Sequence, residues 1–292
     1  MSTTEFEFVS GFSAIRLIHG TNKASVEILL YGATVVSWNV NDQKILFLSD
    51  KASFENGKGI RGGIPVVFPQ FGPGKLPQHG FARTKKWTLG DTNVDKQTGD
   101  VTAKFHLHDD EDTLKIWPFT FELTLSITLK ANKFEQKLTV INKDDKQFDF
   151  TALLHTYFTV SDINKTKISG LRNIDYIDKV DNATLKHETN EYIEFVSETD
   201  RVYKNGATNN NLVTIIDNSN QQQFEIQIKT QTFNDFVIWN PWIEKAKNSN
   251  DIGEHNYSKF VCVEAGQVSK PVELNSKQTW NASQEISLIS HS

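Results

Sequence analysis

The sequence predicts an all-β protein, a large antiparallel β sandwich with few short helices that occupies residues 1–292 as a single domain. Three observations predict it: the dominant hydrophobic period is two, turn-forming residues break the chain at short intervals, and no long stretch shows helical spacing. The clearest alternation runs from Phe121 to Leu129, where Phe121, Leu123, Leu125, Ile127 and Leu129 alternate with Glu122, Thr124, Ser126 and Thr128. That is the pattern of a strand with one wet face. Similar alternation appears at Val101 to Leu107 and at Phe224 to Ile228. Shorter apolar runs at Val26 to Tyr31, Ile45 to Leu48 and Leu212 to Ile216 read as more fully buried strands. Between them fall turn-rich breaks: Asn41-Asp42, Lys96 to Asp100, Asn142 to Asp145, Asn205 to Asn211 and Asp217 to Asn220. One short helix is expected over Asn240 to Lys247, with Asn240 as cap and Pro241 in its first turn.

The stretch Ile60 to Arg83 departs from this alternation. From Gly57 to Gly80 lie seven of the sixteen glycines, and from Pro65 to Pro77 four of the seven prolines. A run so rich in residues that permit or fix unusual backbone angles is a shaped loop rather than a helix or central strand. Its apolar residues, Phe68, Phe71 and Phe81 among them, give it enough to bury that disorder is not expected. Its polar residues, Arg61, Gln70, Gln78, His79 and Arg83, suit a small, oxygen-rich, anionic ligand.

A net charge of −5 and a pI near 5.9, with no basic stripe, argue against nucleic acid as a partner. One cysteine, Cys262, excludes an internal disulfide framework and points to a reducing compartment. The first residues show no basic region followed by an apolar one, and nothing approaches a membrane span, so a soluble cytoplasmic protein, expected to be a monomer, is the reading. The sequons at Asn164, Asn182, Asn256 and Asn281 are then chance matches.

Four places could carry chemistry. As one strand, Phe148 to Val160 puts His155 and Tyr157 on the same face, although a lone strand histidine is more often structural. In Phe260 to Gly266, Glu264 continues the face of Phe260 and Cys262; its alternatives are a salt bridge or a solvated strand end, but apolar neighbours would raise its pKa toward that of a general base or acid. Asp200, beside Arg201, reads as an ordinary turn residue. The run His106 to Asp112 superficially suggests a metal site, but its consecutive carboxylates read as a solvated hairpin turn. Cys262 reads as an inert buried thiol, and Trp239 and Trp242 are equally suited to stacking on a sugar or to packing.

The motifs R-G-G-I-P-V-V-F-P-Q-F-G, L-P-Q-H-G-F-A-R, L-H-T-Y-F, W-N-P-W-I-E-K-A-K and V-C-V-E-A-G, in this order, resemble the hexose-6-phosphate mutarotases (glucose-6-phosphate 1-epimerases) of the aldose 1-epimerase superfamily. Each is weak alone; together they span roughly Ile15 to Trp280. The resemblance implies a galactose mutarotase-like β-supersandwich, no metal, no cofactor, and an active site on the concave face of the larger sheet. It carries over His155 as general acid and Glu264 as general base. Arg61, Gln78, Arg83 and Asp200 fall on substrate-binding positions, and His79 on a second imidazole near the ring. Thr156 follows His155, as in the phosphate-using branch, where galactose mutarotases usually carry proline. The implied substrate is a hexose 6-phosphate, with Arg61 and Arg83 at its phosphate end. Three alternatives stand beside it: an epimerase of unphosphorylated hexoses, a glycosidase using Asp200 and Glu264, and a non-catalytic sugar-binding protein.

Overall fold

The structure, a computed structural model, describes residues 2–206, 211–217 and 224–290. Among these residues the strands form three antiparallel sheets, of five, nine and eight strands. The five-stranded sheet is an N-terminal meander from Thr3–Val9 to Gln43–Lys44. The nine-stranded sheet centres on Phe121–Leu129, Lys133–Asn142 and Thr279–Ser290. The eight-stranded sheet centres on Asp235–Asn240, Phe260–Leu274 and Phe148–Leu154.

Alternation sets which face each strand buries. Along Phe121–Leu129 the five apolar side chains are buried and the four polar ones half-buried, as the period predicts. Burying each such side chain stabilises the fold by about 1.5–3 kcal/mol, so shifting this strand by one residue would turn all five outward. Aromatic rings tie the two larger sheets together: Phe121 lies 5.6 Å from Phe68, and Trp280 5.3 Å from Phe150. Trp38 of the meander meets Phe134 of the nine-stranded sheet at 5.6 Å.

The expected strands appear as Ala24–Leu29, Val101–His108, Leu212–Asp217 and Phe224–Gln231. Ile45 to Phe47 are buried and Leu48 half-buried, but the run makes only isolated bridges. Asn41 and Asp42 both adopt left-handed angles, φ 48° and 64°, in the tight turn after Val35–Val40, as short polar side chains permit. The breaks at Asn205 to Asn211 and Asp217 to Asn220 lie partly outside the described residues.

Three local expectations need correction. The stretch Phe148 to Val160 is two strands, Phe148–Leu154 and Tyr157–Thr159, with His155 and Thr156 in the break between them. Across the break the pairing with Phe260–Leu274 keeps its register, Leu154 opposite Ala265 and Tyr157 opposite Cys262, while His155 N donates to Pro65 O at 3.0 Å and Thr156 N to Leu154 O at 2.9 Å. The acidic run is no hairpin turn: Asp110 caps a helix, Glu111–Ile116, and accepts from Thr113 N at 2.7 Å while the Thr113 hydroxyl accepts from Asp110 N at 2.8 Å. The later helix is Trp242–Lys247, with Pro241 at the cap position, although Asn240 Oδ1 does accept from Trp242 N at 2.9 Å.

The glycine-rich loop is a rigid wall fastened to both neighbouring sheets. Gly63 N donates to Phe47 O at 2.6 Å, Ile64 N to Val35 O at 2.8 Å, and Val66–Val67 pairs with Leu153 and Leu154. Gly63 and Gly80 both have positive φ, and a Cβ there would collide with the carbonyl oxygens of Val35 and Phe68 respectively. Gln70 staples the loop to itself, its amide bonding Gly72 O, Leu76 O and Leu76 N, and is thereby withdrawn from any ligand.

Candidate active site

The face of the eight-stranded sheet turned away from the shared core carries the site. In Phe260–Leu274, Val261, Val263 and Ala265 enter the core, which leaves Phe260, Cys262 and Glu264 on the opposite face. This sheet has one strand fewer than its partner, so the site is not on the larger sheet as the resemblance implied. The loop Ile60 to Arg83 and the segment holding Trp242–Lys247 rise beside that face and enclose a pocket of about 230 Å³. Arg61, Gln78, His79, His155, Asp200 and Glu264 all line it.

At its floor His155 Nδ1 lies 3.3 Å from Glu264 Oε1. Both residues are buried, at 8% and 1% exposure. The contact lacks the alignment of a hydrogen bond: His155 Nδ1 and Glu264 Oε2 are buried without hydrogen-bond partners. Burial pushes the carboxyl of Glu264 well above the usual range, helped by the charge of Asp200. It pushes the imidazole of His155 well below its usual range, helped by His79, Arg61 and Arg83. Each is thus driven toward its uncharged form. The two side chains stand side by side rather than facing each other across the pocket.

Around this pair the rings are ordered. His155 stacks on Tyr157, and Trp239 sets its ring edge-on to both, 5.9 and 6.0 Å away. Tyr157 accepts from Arg61 Nη1 at 3.1 Å, while Asp251 holds Arg61 Nε at 3.1 Å and Nη2 at 3.0 Å. His79 lies 5.6 Å from His155, and its Nδ1 accepts from Gly72 N at 3.3 Å. Burial, with Arg83, Lys179 and Arg61 nearby, pushes its pKa down to about 3, so the ring is neutral and its Nε2 carries the hydrogen.

Arg83 does not line the pocket. It sits behind Gln78, donating from Nη2 to Gln78 O at 2.9 Å, and its buried Nε has no partner. Burial, and also the neighbouring charge of Arg61, lower its pKa. No carboxylate lies within 4.0 Å of it among the described residues.

Residues that local reasoning passed over also meet here. Asp251 fixes Arg61 from 190 positions away, and Lys179 and Lys245 line the pocket. Nothing in I-D-K-V-D or K-N-S-N-D-I marks Lys179 or Asp251, and Lys245 lies inside the motif W-N-P-W-I-E-K-A-K without standing out. Cys262 is buried beside the pair, its ligand atom within 4.8 Å of those of His155 and Glu264, and burial keeps its thiol protonated. The pocket therefore gathers a buried carboxyl, a buried imidazole and three cationic side chains, Arg61, Lys179 and Lys245.

Comparison with known proteins places this geometry. The sequence family described as aldose 1-epimerase matches residues 13–287. A protein of Cenchrus ciliaris named as a candidate glucose-6-phosphate 1-epimerase is 36% identical over 281 residues, covering 94% of this chain and 84% of the relative. One of the same name from Escherichia coli (strain K12) is 34% identical, covering 92% of this chain and 87% of the relative. The crystal structure of a candidate mutarotase from Salmonella typhimurium superposes with TM-score 0.89 at 30% identity, over 99% of this chain and 94% of that one. A galactose 1-epimerase of Lactobacillus acidophilus shares the fold, with TM-score 0.67 at 17% identity over 99% of this chain and 98% of that one. The chain, a galactose mutarotase-like β sandwich, belongs to the aldose 1-epimerase family.

Proposed function

We propose that this protein interconverts the α and β anomers of hexose 6-phosphates, chiefly glucose 6-phosphate, by acid/base-catalysed opening and reclosure of the pyranose ring. The observation that carries the reading is the buried pair: His155 Nδ1 and Glu264 Oε1, 3.3 Å apart on the pocket floor, with unsatisfied polar atoms on both side chains. O1 and O5 of an aldopyranose are both bonded to C1, so an adjacent acid and base can serve both at once.

Glu264 takes the proton of the C1 hydroxyl while His155 gives one to the ring oxygen. The C1–O5 bond breaks as C1–O1 becomes a carbonyl; the aldehyde turns about C1–C2, and the ring closes on its other face with the roles reversed. The pair holds one proton throughout if it begins as carboxylate and imidazolium, and the cycle returns it to that state. A raised carboxyl pKa makes Glu264 a stronger base, and a lowered imidazole pKa makes His155 a stronger acid. His79, neutral with a hydrogen on Nε2, donates to the sugar, while Gln78 and Asp200 hold its hydroxyls. Arg61 and the carboxylate-free Arg83 behind Gln78 favour placing the phosphate at that end. The lone buried thiol, Cys262, fits the reducing cytoplasm.

The test is NMR saturation transfer between the α and β signals of glucose 6-phosphate, with galactose and glucose measured alongside. Exchange accelerated most for glucose 6-phosphate is expected. Faster exchange of an unphosphorylated sugar would shift the substrate class, and binding without any acceleration would overturn the enzymatic reading.

A further inference from the structure

The proposed reaction uses His155 and Glu264 but leaves Cys262 idle, although the three form one cluster. Each offers one ligand atom, and these atoms lie within 4.8 Å of one another. His155 and Glu264 face each other across neighbouring strands, because Leu154 pairs with Ala265 and Tyr157 with Cys262, and Cys262 stands two residues before Glu264 on the same face. Two of the three are short of partners: His155 Nδ1 and Glu264 Oε2 are buried without a hydrogen bond. The spacing also suits a metal. Around a tetrahedral zinc ion, with bonds of about 2.0–2.2 Å to nitrogen and oxygen, two such ligands stand about 3.3–3.5 Å apart; His155 Nδ1 and Glu264 Oε1 are 3.3 Å apart. A thiolate at about 2.3 Å from the ion stands about 3.6 Å from each of the others, so a side-chain shift of about 1 Å closes the set.

We propose that His155, Cys262 and Glu264 form a binding site for a soft divalent cation, zinc or its congener cadmium, and that the bound ion shuts off anomer exchange. The binding stands on the geometry; its effect on exchange rests on the functional reading above. On binding, the Cys262 thiol releases its proton to solvent, and thiolate and carboxylate together cancel the two charges of the ion, which allows it to be buried. Thiolate and imidazole select zinc and cadmium over magnesium and calcium, which call for more oxygen ligands than this floor supplies. His155 and Glu264 line the pocket, so an ion enters from solvent and its remaining coordination position faces the space for the sugar. Arg61, Lys179 and Lys245 on the pocket wall repel the ion, and Asp200 attracts it. Once imidazole and carboxylate are committed to the metal, neither can carry a proton to or from the sugar.

Cys262 is the only cysteine of the chain, so thiolate-to-metal absorption reports this site and no other. The experiment titrates cadmium into the unaltered chain, following that ultraviolet band and the heat of binding. Anomer exchange of glucose 6-phosphate is measured with zinc, cadmium or magnesium and again after a chelator. The expected result is a band that saturates at one cadmium per chain, inhibition by zinc and cadmium that competes with the sugar and is reversed by the chelator, and no effect of magnesium. Cys262→Ala and Cys262→Ser, with thermal melting as the check on folding, should keep exchange, lose the band and need about a hundredfold more metal for inhibition, the upper end of what losing even an outer partner of a metal site costs. His155→Asn and Glu264→Gln should weaken the heat and the band alike. No band, a band unchanged in those two variants, inhibition equal in the Cys262 variants, or faster exchange with zinc would overturn the proposal. A chain that shows the band but exchanges neither glucose 6-phosphate nor glucose when free of metal would sink the functional reading and leave the metal site standing.

Discussion

The imidazole of His155 stacks on the ring of Tyr157, centroids 4.8 Å apart and planes 12° from parallel, and the hydroxyl of that tyrosine accepts from Arg61. One side chain therefore orients the proposed acid with its face and, with its tip, the guanidinium proposed to face the phosphate. Tyr157→Phe keeps the stack and removes the tip. The expected outcome is kcat for glucose 6-phosphate within about threefold of the original with KM raised about tenfold, the loss of one charge-assisted hydrogen bond of about 1.5 kcal/mol. Steady-state anomer exchange at several substrate concentrations separates the two.

Glu264→Gln preserves shape and removes the base. Exchange should fall by about 10²–10⁴-fold, the usual contribution of a positioned acid or base. Melting should be retained, because the lost carboxyl is buried without a strong partner. His155→Asn should lower kcat over the same range while KM changes little. Saturation transfer at fixed saturating substrate reads both variants, and unchanged exchange in either removes that residue from the mechanism.

Arg83→Ala tests the phosphate end. With Arg83 unpaired by any carboxylate among the described residues, its loss should raise KM for glucose 6-phosphate by about threefold to tenfold, a charge acting from behind Gln78 rather than through a direct contact, and leave glucose nearly unaffected. Equal losses for the two sugars would place the phosphate elsewhere in the pocket.

His79 links the site to stability. Its pKa is about 3 in the folded chain against 6.5 when free, so the unfolded chain binds the extra proton as pH falls from 6.5 toward 3 and the fold loses stability across that window. His155 acts in the same direction. His79→Gln removes one of these groups. Its urea midpoint should drop less between pH 7 and pH 4.5 than that of the unaltered chain; an identical drop would show that His79 titrates normally.

Much of the architecture was legible from local pattern alone. Alternation placed Leu123, Leu125 and Ile127 inward, and it put Glu264 on the face opposite Val261 and Val263, because successive side chains of a strand must point to opposite sides. Glycine and proline content marked Ile60 to Arg83 as a shaped wall, and the motifs within it carried the family likeness. The short helix Glu111–Ile116 was missed because its capping aspartate and following acids also suit an exposed turn.

Proximity belongs to the folded chain alone. Side-chain direction repeats every two residues and can be read from a short window, whereas pairing depends on register between distant strands. So local pattern placed Glu264 on a strand face away from the core, whereas His155 falls in a break between two strands, and folding alone brought the two to 3.3 Å. Folding also recruited Asp251 and Lys179 from unremarkable turns and set Arg83 behind Gln78 rather than in the pocket. The backbone N–H of His155 turns to Pro65 O at 3.0 Å in the glycine-rich loop, and no local pattern records which distant carbonyl a strand end will meet.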